Sequence, residues 1–287
     1  MSASSSHPST DARRVATVLP ISRECELSAV IYGSRRAKGP TPLVLHFHGG
    51  AFVSGGVAAA SAVAEALVQA GAVVVSVDYP LAPDHPFPQA LEAGHAALIW
   101  LHRNRRRLGG DGAVILTAGE EAGGNIAAAV ALMARDRQRP PLAGQILFSP
   151  MLDPCLGTAS LRNADIDMHE CPWVKGWLSY LPRTADVCHP YAAPGLSSRL
   201  AQLPPTLLIT ARDDPLRDET LAFAGKLRQA GVVMEQLVVD AATGWPQSFA
   251  EPAGNASWAA AVQAHLQQFI TARQGDATAQ KSHLPLV

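Results

Sequence analysis

Short apolar runs punctuate the chain at residues 43–47, 72–78, 113–117, 145–148, 206–210 and 234–239. They are mostly apolar at successive positions, the pattern of a strand buried on both faces of a parallel sheet. Two earlier runs, 15–19 and 26–32, alternate instead and predict an antiparallel pair at the sheet edge. Helical spacing fills the intervals at 59–69, 89–107, 124–137, 218–230 and 256–272. The alternation predicts a mostly parallel α/β sheet of about eight strands, doubly wound, with helices on both faces. One stretch breaks the rhythm. Residues 151–203 carry no strand signal but hold Trp173, Trp177, Tyr180 and Tyr191 among prolines and polar residues. An insertion of that length inside a compact domain reads as a lid or cap. Residues 1–12 and 274–287 are polar or small and read as flexible tails of a single 1–287 domain.

Composition narrows the function classes. The 287 residues are 48% hydrophobic, enough for one substantial core, and carry 23 basic against 24 acidic side chains. A net charge of −1 argues against an electrostatic nucleic-acid binder. No apolar run reaches the ~20 residues of a membrane span, and the polar N-terminus does not read as a secretory signal. Cys25, Cys155, Cys171 and Cys188 lack Cys-x-x-Cys spacing, so free thiols and a cytoplasmic location are expected, with no metal and no cofactor.

Three segments carry chemistry. His48-Gly49-Gly50-Ala51-Phe52 follows a predicted strand; consecutive glycines let backbone N–H groups converge on one point, as an oxyanion hole requires. Gly119-Glu120-Glu121-Ala122-Gly123-Gly124-Asn125 lies between a strand and a helix. That is the context of a nucleophile elbow, a tight turn placing one side chain at a helix N-terminus. Asp213-Asp214-Pro215-Leu216-Arg217-Asp218-Glu219 follows a later strand, putting a carboxylate at the sheet's C-terminal edge, where α/β proteins build their sites.

In this order the three segments resemble the hormone-sensitive-lipase-like carboxylesterases, the HGGG family of α/β-hydrolases, over roughly residues 43–270. The stretch Asp78-Tyr79-Pro80-Leu81-Ala82-Pro83 is similar to that family's loop after an early strand. The resemblance implies an α/β-hydrolase fold, Asp214 as triad acid, and the N–H groups of Gly49, Gly50 and Ala122 as oxyanion hole. Two positions depart from it. Glu121 stands where the family has its serine, with Glu120 in place of the preceding aspartate. The family histidine should fall within 239–246, yet no histidine occurs between His189 and His265, and Gly244 occupies the vacant place. Without serine there is no alkoxide to acylate, and without histidine no group near neutral pKa to move the proton. Normal esterase activity is therefore not expected.

Three readings stay open. The chain is a pseudo-hydrolase binding a small-molecule carbonyl or carboxylate. Or Glu121 works as a general base or nucleophile, giving a lyase, cyclase, isomerase or hydrolase. Or a residual carboxylic ester hydrolase persists. Ala51, Phe52, Trp173, Trp177 and Trp245 are the expected pocket residues. His169 or His189 could swing in from the insertion, although both read as solvated. His46 and His48 read as loop braces, and the arginines at 103 and 105–107 as a helix C-terminal cluster. A homodimer is left open.

Overall fold

The computed structural model describes residues 13–22, 25–59, 61–164, 167, 169–252 and 256–282, with side chains described as far as residue 276. In chain order the regular elements are β1 (Arg14–Pro20), β2 (Glu26–Tyr32), β3 (Leu43–Phe47), α1 (Ala62–Gln69), β4 (Val73–Val77), α2 (Gln89–Gly109), β5 (Ile115–Glu120) and α3 (Ala122–Asp136). There follow β6 (Gly144–Phe148), the short α4 (Ala159–Arg162), α5 (Pro172–Tyr180), β7 (Thr206–Ala211), α6 (Arg217–Gln229), β8 (Met234–Val239) and α7 (Ala259–Ser282).

The strands form one eight-stranded sheet in the order β1-β2-β4-β3-β5-β6-β7-β8. β1 pairs antiparallel with β2, and β2 with β4; the remaining neighbours are parallel. The expected α/β sheet with an antiparallel edge is therefore present. Its inner strands owe their continuous apolar runs to burial on both faces: β3, β4, β5, β6 and β7 are buried throughout. β8 departs from that pattern. It closes the far edge and is half exposed along its length, with Glu235 and Gln236 among its residues.

α1 and α7 cover one face, with Val63, Leu67, Val262 and Leu266 against Val44, Val74 and Leu116. α2, α3 and α6 cover the other, with Leu91, Leu98, Ile126, Val130 and Phe223 against Leu45, Val75 and Leu147. Ser61 sets the start of α1: its side chain accepts the Ala64 N–H at 3.1 Å, three residues later than the periodicity suggests. α3 starts at Ala122, two residues early, because the elbow feeds straight into the helix. At the other end, α7 runs on to Ser282, so residues 274–282 are helical where composition predicts a tail. The predicted tails at 1–12 and 283–287 lie outside the described residues.

Among the described residues, 151–203 contain only short helical segments, and no helix is long and apolar enough to cross a membrane. Cys25, Cys155 and Cys188 are exposed, Cys171 is buried, and all are free.

The turn from β5 into α3 packs backbone to backbone. A Cβ on Gly123 would lie 2.1 Å from Phe47 O, and one on Gly119 would lie 2.3 Å from Gly123 O. Neither obstacle is a side chain that could rotate away. Gly225 in α6 meets nothing within 4 Å. We expect Gly123→Ala to cost at least ~3 kcal/mol, or to abolish soluble expression. Gly225→Ala should be neutral or stabilise by up to ~1 kcal/mol. Thermal denaturation of the two alanine variants makes the comparison; equal Tm values would contradict it.

Candidate functional site

β5 ends in the middle of the sheet, between the loop after β3 and the end of β6. Glu121 forms the turn there with φ 53° and ψ −118°, a left-handed backbone that a non-glycine residue adopts only when its surroundings enforce it. Enforcement comes from both sides: Glu121 N–H donates to Phe148 O at 3.0 Å, and its carbonyl accepts from Met151 N at 2.9 Å and Asn125 N at 3.2 Å. The sharp strand-to-helix turn expected from the glycine spacing is thus in place.

The Glu121 side chain turns into the glycine loop. One carboxylate oxygen, Oε2, accepts a short hydrogen bond from Gly50 N and a second from Ala51 N at 3.2 Å. The other, Oε1, accepts from the indole Nε1 of Trp173 on α5 at 2.6 Å. Glu121 is only 5% exposed. Burial pushes its carboxyl above the usual range, the donors at Gly50, Trp173 and Ala51 pull it back, and the neighbouring Glu120 charge pushes it up again. Glu120 reaches the same loop: its Oε1 accepts from Gly49 N at 3.2 Å, and its Oε2 meets His46 Nε2 at 2.7 Å. His46 Nδ1 in turn meets Ser76 Oγ at 2.9 Å.

Two of the three expected oxyanion donors are therefore spent within the protein. Gly50 N–H serves Glu121, Gly49 N–H serves Glu120, and Ala51 contributes the second donor to Glu121. Ala122 is buried as the first residue of α3. Ala51 and Phe52 carry positive φ, 50° and 66°, which turns the Ala51 N–H inward. Sequence spacing points to glycines as donors and misses Ala51, because loop geometry and not residue type selects the N–H.

Ser76, His46 and Glu120 form a hydroxyl–imidazole–carboxylate chain, the connectivity of a nucleophile relay. His46 is wholly buried and Ser76 2% exposed, while the N–H groups of the neighbouring glycine loop already serve the two glutamates. The chain thus braces Glu120 against the glycine loop. His48 stacks on Tyr79 with ring centroids 4.3 Å apart, and the Tyr79 hydroxyl donates to His48 O at 2.8 Å.

Asp214 follows β7, buried to 2%. Its oxygens accept from Ser149 Oγ at 2.7 Å, Leu216 N at 2.8 Å and Thr210 Oγ1 at 2.5 Å. Burial raises its pKa, and these hydroxyls and the N–H pull it down. Its neighbour Asp213 holds the loop where a histidine is missing, accepting from Thr243 N, Thr243 Oγ1 and Gly244 N. Gly244 is exposed at φ 66°. Trp245 does not fill that space; it is 4% exposed and packs inward against Phe249, with Trp258 behind. Its indole has left the pocket for the core because the ring finds aromatic partners there.

Trp177 stacks near Phe52, whose ring lies 4.0 Å from Tyr180 and nearly parallel to it. Of the expected pocket aromatics, Trp173 alone touches the elbow. His169 and His189 are exposed; His189 lies against Phe87 and Tyr191.

A profile of the α/β-hydrolase-fold family matches residues 44–243. The chain is 39% identical over 199 residues to the esterase LipI of Mycobacterium tuberculosis, covering 68% of this chain and 62% of that protein. It is 34% identical over 217 residues to the gibberellin receptor GID1A of Arabidopsis thaliana, covering 70% and 61%. Among solved structures, the esterase LipW of Mycobacterium marinum superimposes with a TM-score of 0.76 at 30% identity, over 91% of this chain and 82% of that one. The matches thus span less than two thirds of either curated relative's length.

The balance at Glu121 is open to measurement. With a folded pKa above the unfolded value near 4.5, its contribution to stability is full below that value and is lost as pH rises through the raised pKa. Glutamine cannot ionise, although it sets an amide against one of the donors. We expect the Tm of Glu121→Gln minus that of the parent to increase as pH is raised from about 4 to about 8. A difference that falls instead would mean that the three donors outweigh burial.

Proposed function

The chain belongs to the α/β-hydrolase-fold family, and we propose that it is a non-hydrolytic member, a pseudo-hydrolase that holds a small-molecule ligand without cleaving an ester. The observation that carries this reading is the position of the Glu121 carboxylate. It accepts from Gly50 N, Ala51 N and Trp173 Nε1, so the donors that would stabilise a tetrahedral oxyanion are taken by the protein's own anion. A substrate carbonyl entering there meets a filled hole and a negative charge.

Two further features support it. The elbow offers no hydroxyl, so an acyl-enzyme has nothing to form on. Asp214 has Ser149, Thr210 and Leu216 as partners, and no imidazole is bonded to it. A relative named as a receptor, GID1A, is consistent with a binding role on this family's scaffold, although fold alone does not choose between binding and turnover.

The rival reading makes Glu121 a general base. A base needs a free lone pair facing the substrate, and both oxygens of this carboxylate are engaged by donors from Gly50, Ala51 and Trp173. The filled hole also leaves an enolate oxygen without stabilisation. The carbonyl or carboxylate ligand expected from the sequence faces the same obstacle, since it competes with Glu121 for Gly50 N and Ala51 N.

Hydrolysis of p-nitrophenyl acetate and butyrate is the direct test. We expect rates within a few-fold of the uncatalysed background. Turnover of about one per second or faster, lost on treatment with a serine-reactive phosphonate, would overturn the proposal; Ser76 would then be the first residue to replace.

Rebuilding the triad gives a second test. Glu121→Ser empties the hole but supplies no base, so it should gain little. Glu121→Ser with Gly244→His should exceed that single variant by at least about tenfold, even though φ 66° at position 244 strains a histidine. A fully active Glu121→Ser single variant would reveal a base already in place.

A further inference from the structure

A cavity of about 330 Å³ opens beside the elbow on the α1 side of the sheet, lined by Tyr32, Ser76, His48, Glu120, Glu121 and Phe249 among others. Two polar atoms in its wall are buried without a hydrogen-bond partner: Tyr32 Oη and His48 Nε2. Tyr32 is 2% exposed and His48 6%. Buried polar groups are rarely left unpaired unless something absent from the coordinates pairs with them.

The hydrogen-bonding character of this wall follows from its partners. His48 Nδ1 lies 2.7 Å from Gly49 O. A carbonyl only accepts, so Nδ1 carries the ring hydrogen. Burial lowers the His48 pKa, which keeps the ring neutral and leaves Nε2 a bare acceptor. Asp78 Oδ1, a second acceptor, stands 3.8 Å from it. Glu120 and Glu121 add carboxylates whose donors all come from the protein side. Among the described residues, neither lysine nor arginine lines the cavity. The Arg14 guanidinium lies over the Tyr32 ring at 5.6 Å and donates through Nη2 to the carbonyls of Val57, Ala58 and Ala59. The wall therefore combines these acceptors and carboxylates with apolar lining from Val57 and Phe249.

We infer that this cavity binds a small primary amine, in its ammonium form, carrying a compact apolar body. An ammonium brings three donors and a positive charge to a wall that offers acceptors and no cation. The apolar body takes the Phe249 side. An anion is excluded by the same charges, and a neutral alcohol supplies one donor where several are called for. This inference rests on the non-hydrolytic reading in one respect: Glu121 stays in the glycine loop and keeps the Gly50 and Ala51 N–H groups from a ligand.

Benzylamine, benzyl alcohol and benzoate share one body and differ in head group. Isothermal titration and thermal shift at neutral pH should give benzylamine the tightest binding, at least about tenfold tighter than benzyl alcohol, with no binding of benzoate. Tyr32→Phe and Ser76→Ala, each a small change, should weaken benzylamine roughly three- to tenfold. Benzoate binding as well as the amine, equal binding of alcohol and amine, or no binding of any of the three up to their solubility limits would overturn the inference. So would benzylamine affinity unchanged in both variants, since the amine would then sit elsewhere. Ester turnover measured in parallel separates the two readings: an active esterase that still binds benzylamine sinks the pseudo-hydrolase alone, and an inactive protein that ignores benzylamine sinks the amine site alone.

Discussion

The backbone of the β5–α3 turn lies directly against the end of β3, with Gly123 so close to Phe47 O that no side chain fits between them. That contact fixes where the elbow residue projects. It brings the glycine loop after β3 within hydrogen-bonding reach of whatever side chain stands at position 121. In this chain the side chain is a carboxylate, and the loop closes around it. Gly50 and Ala51 supply N–H groups from one direction, and Trp173 of α5 supplies an indole N–H from another. The elbow, the loop and the 151–203 insertion are thereby tied to one charged group.

Adjacent glutamates at the end of a buried strand are an electrostatic problem, and the fold answers each separately. Glu120 is compensated by His46 and by the Gly49 N–H; His46 is held by Ser76 on the next strand. The pairing depends on sheet register, since His46 lies opposite Ser76 on β4 and Ala118 on β5. Glu121 has only neutral donors. Burial and the Glu120 charge raise its pKa while these donors lower it, so the two carboxylates are held by different means although they are neighbours in the chain.

The same architecture holds the remaining site elements of the α/β-hydrolase fold in place. Asp214, after β7, accepts from the Ser149 and Thr210 hydroxyls and from the Leu216 backbone N–H. Asp213 takes over the loop that lacks a histidine and anchors it through Thr243 and Gly244. The Glu121, Asp213 and Asp214 carboxylates thus each have partners within the protein. Tyr32 Oη and His48 Nε2, in the cavity beside the elbow, are buried without such a partner.

Most of the fold was legible in the sequence because continuous apolar runs and helical spacing are local consequences of burial. The inner strands and the main helices follow from them within a few residues. The glycines around Glu121 announced the elbow for the same reason: a turn that tight needs them wherever it occurs. The missing serine and histidine were also plain, since absence is a property of the sequence. What the sequence did not contain was direction. It named Gly49, Gly50 and Ala122 as donors, and only the loop dihedrals at Ala51 and Phe52 decided that Gly50 and Ala51 face Glu121. It placed Trp173 and Trp245 in the pocket together; packing sent Trp245 into the aromatic core beside Trp258 and gave Trp173 to the carboxylate. Residue type fixes what a group can bond to, but a hydrogen bond also requires position and angle. Those are set by segments more than 50 residues apart, such as Glu121 and Trp173, which meet only once the sheet has formed.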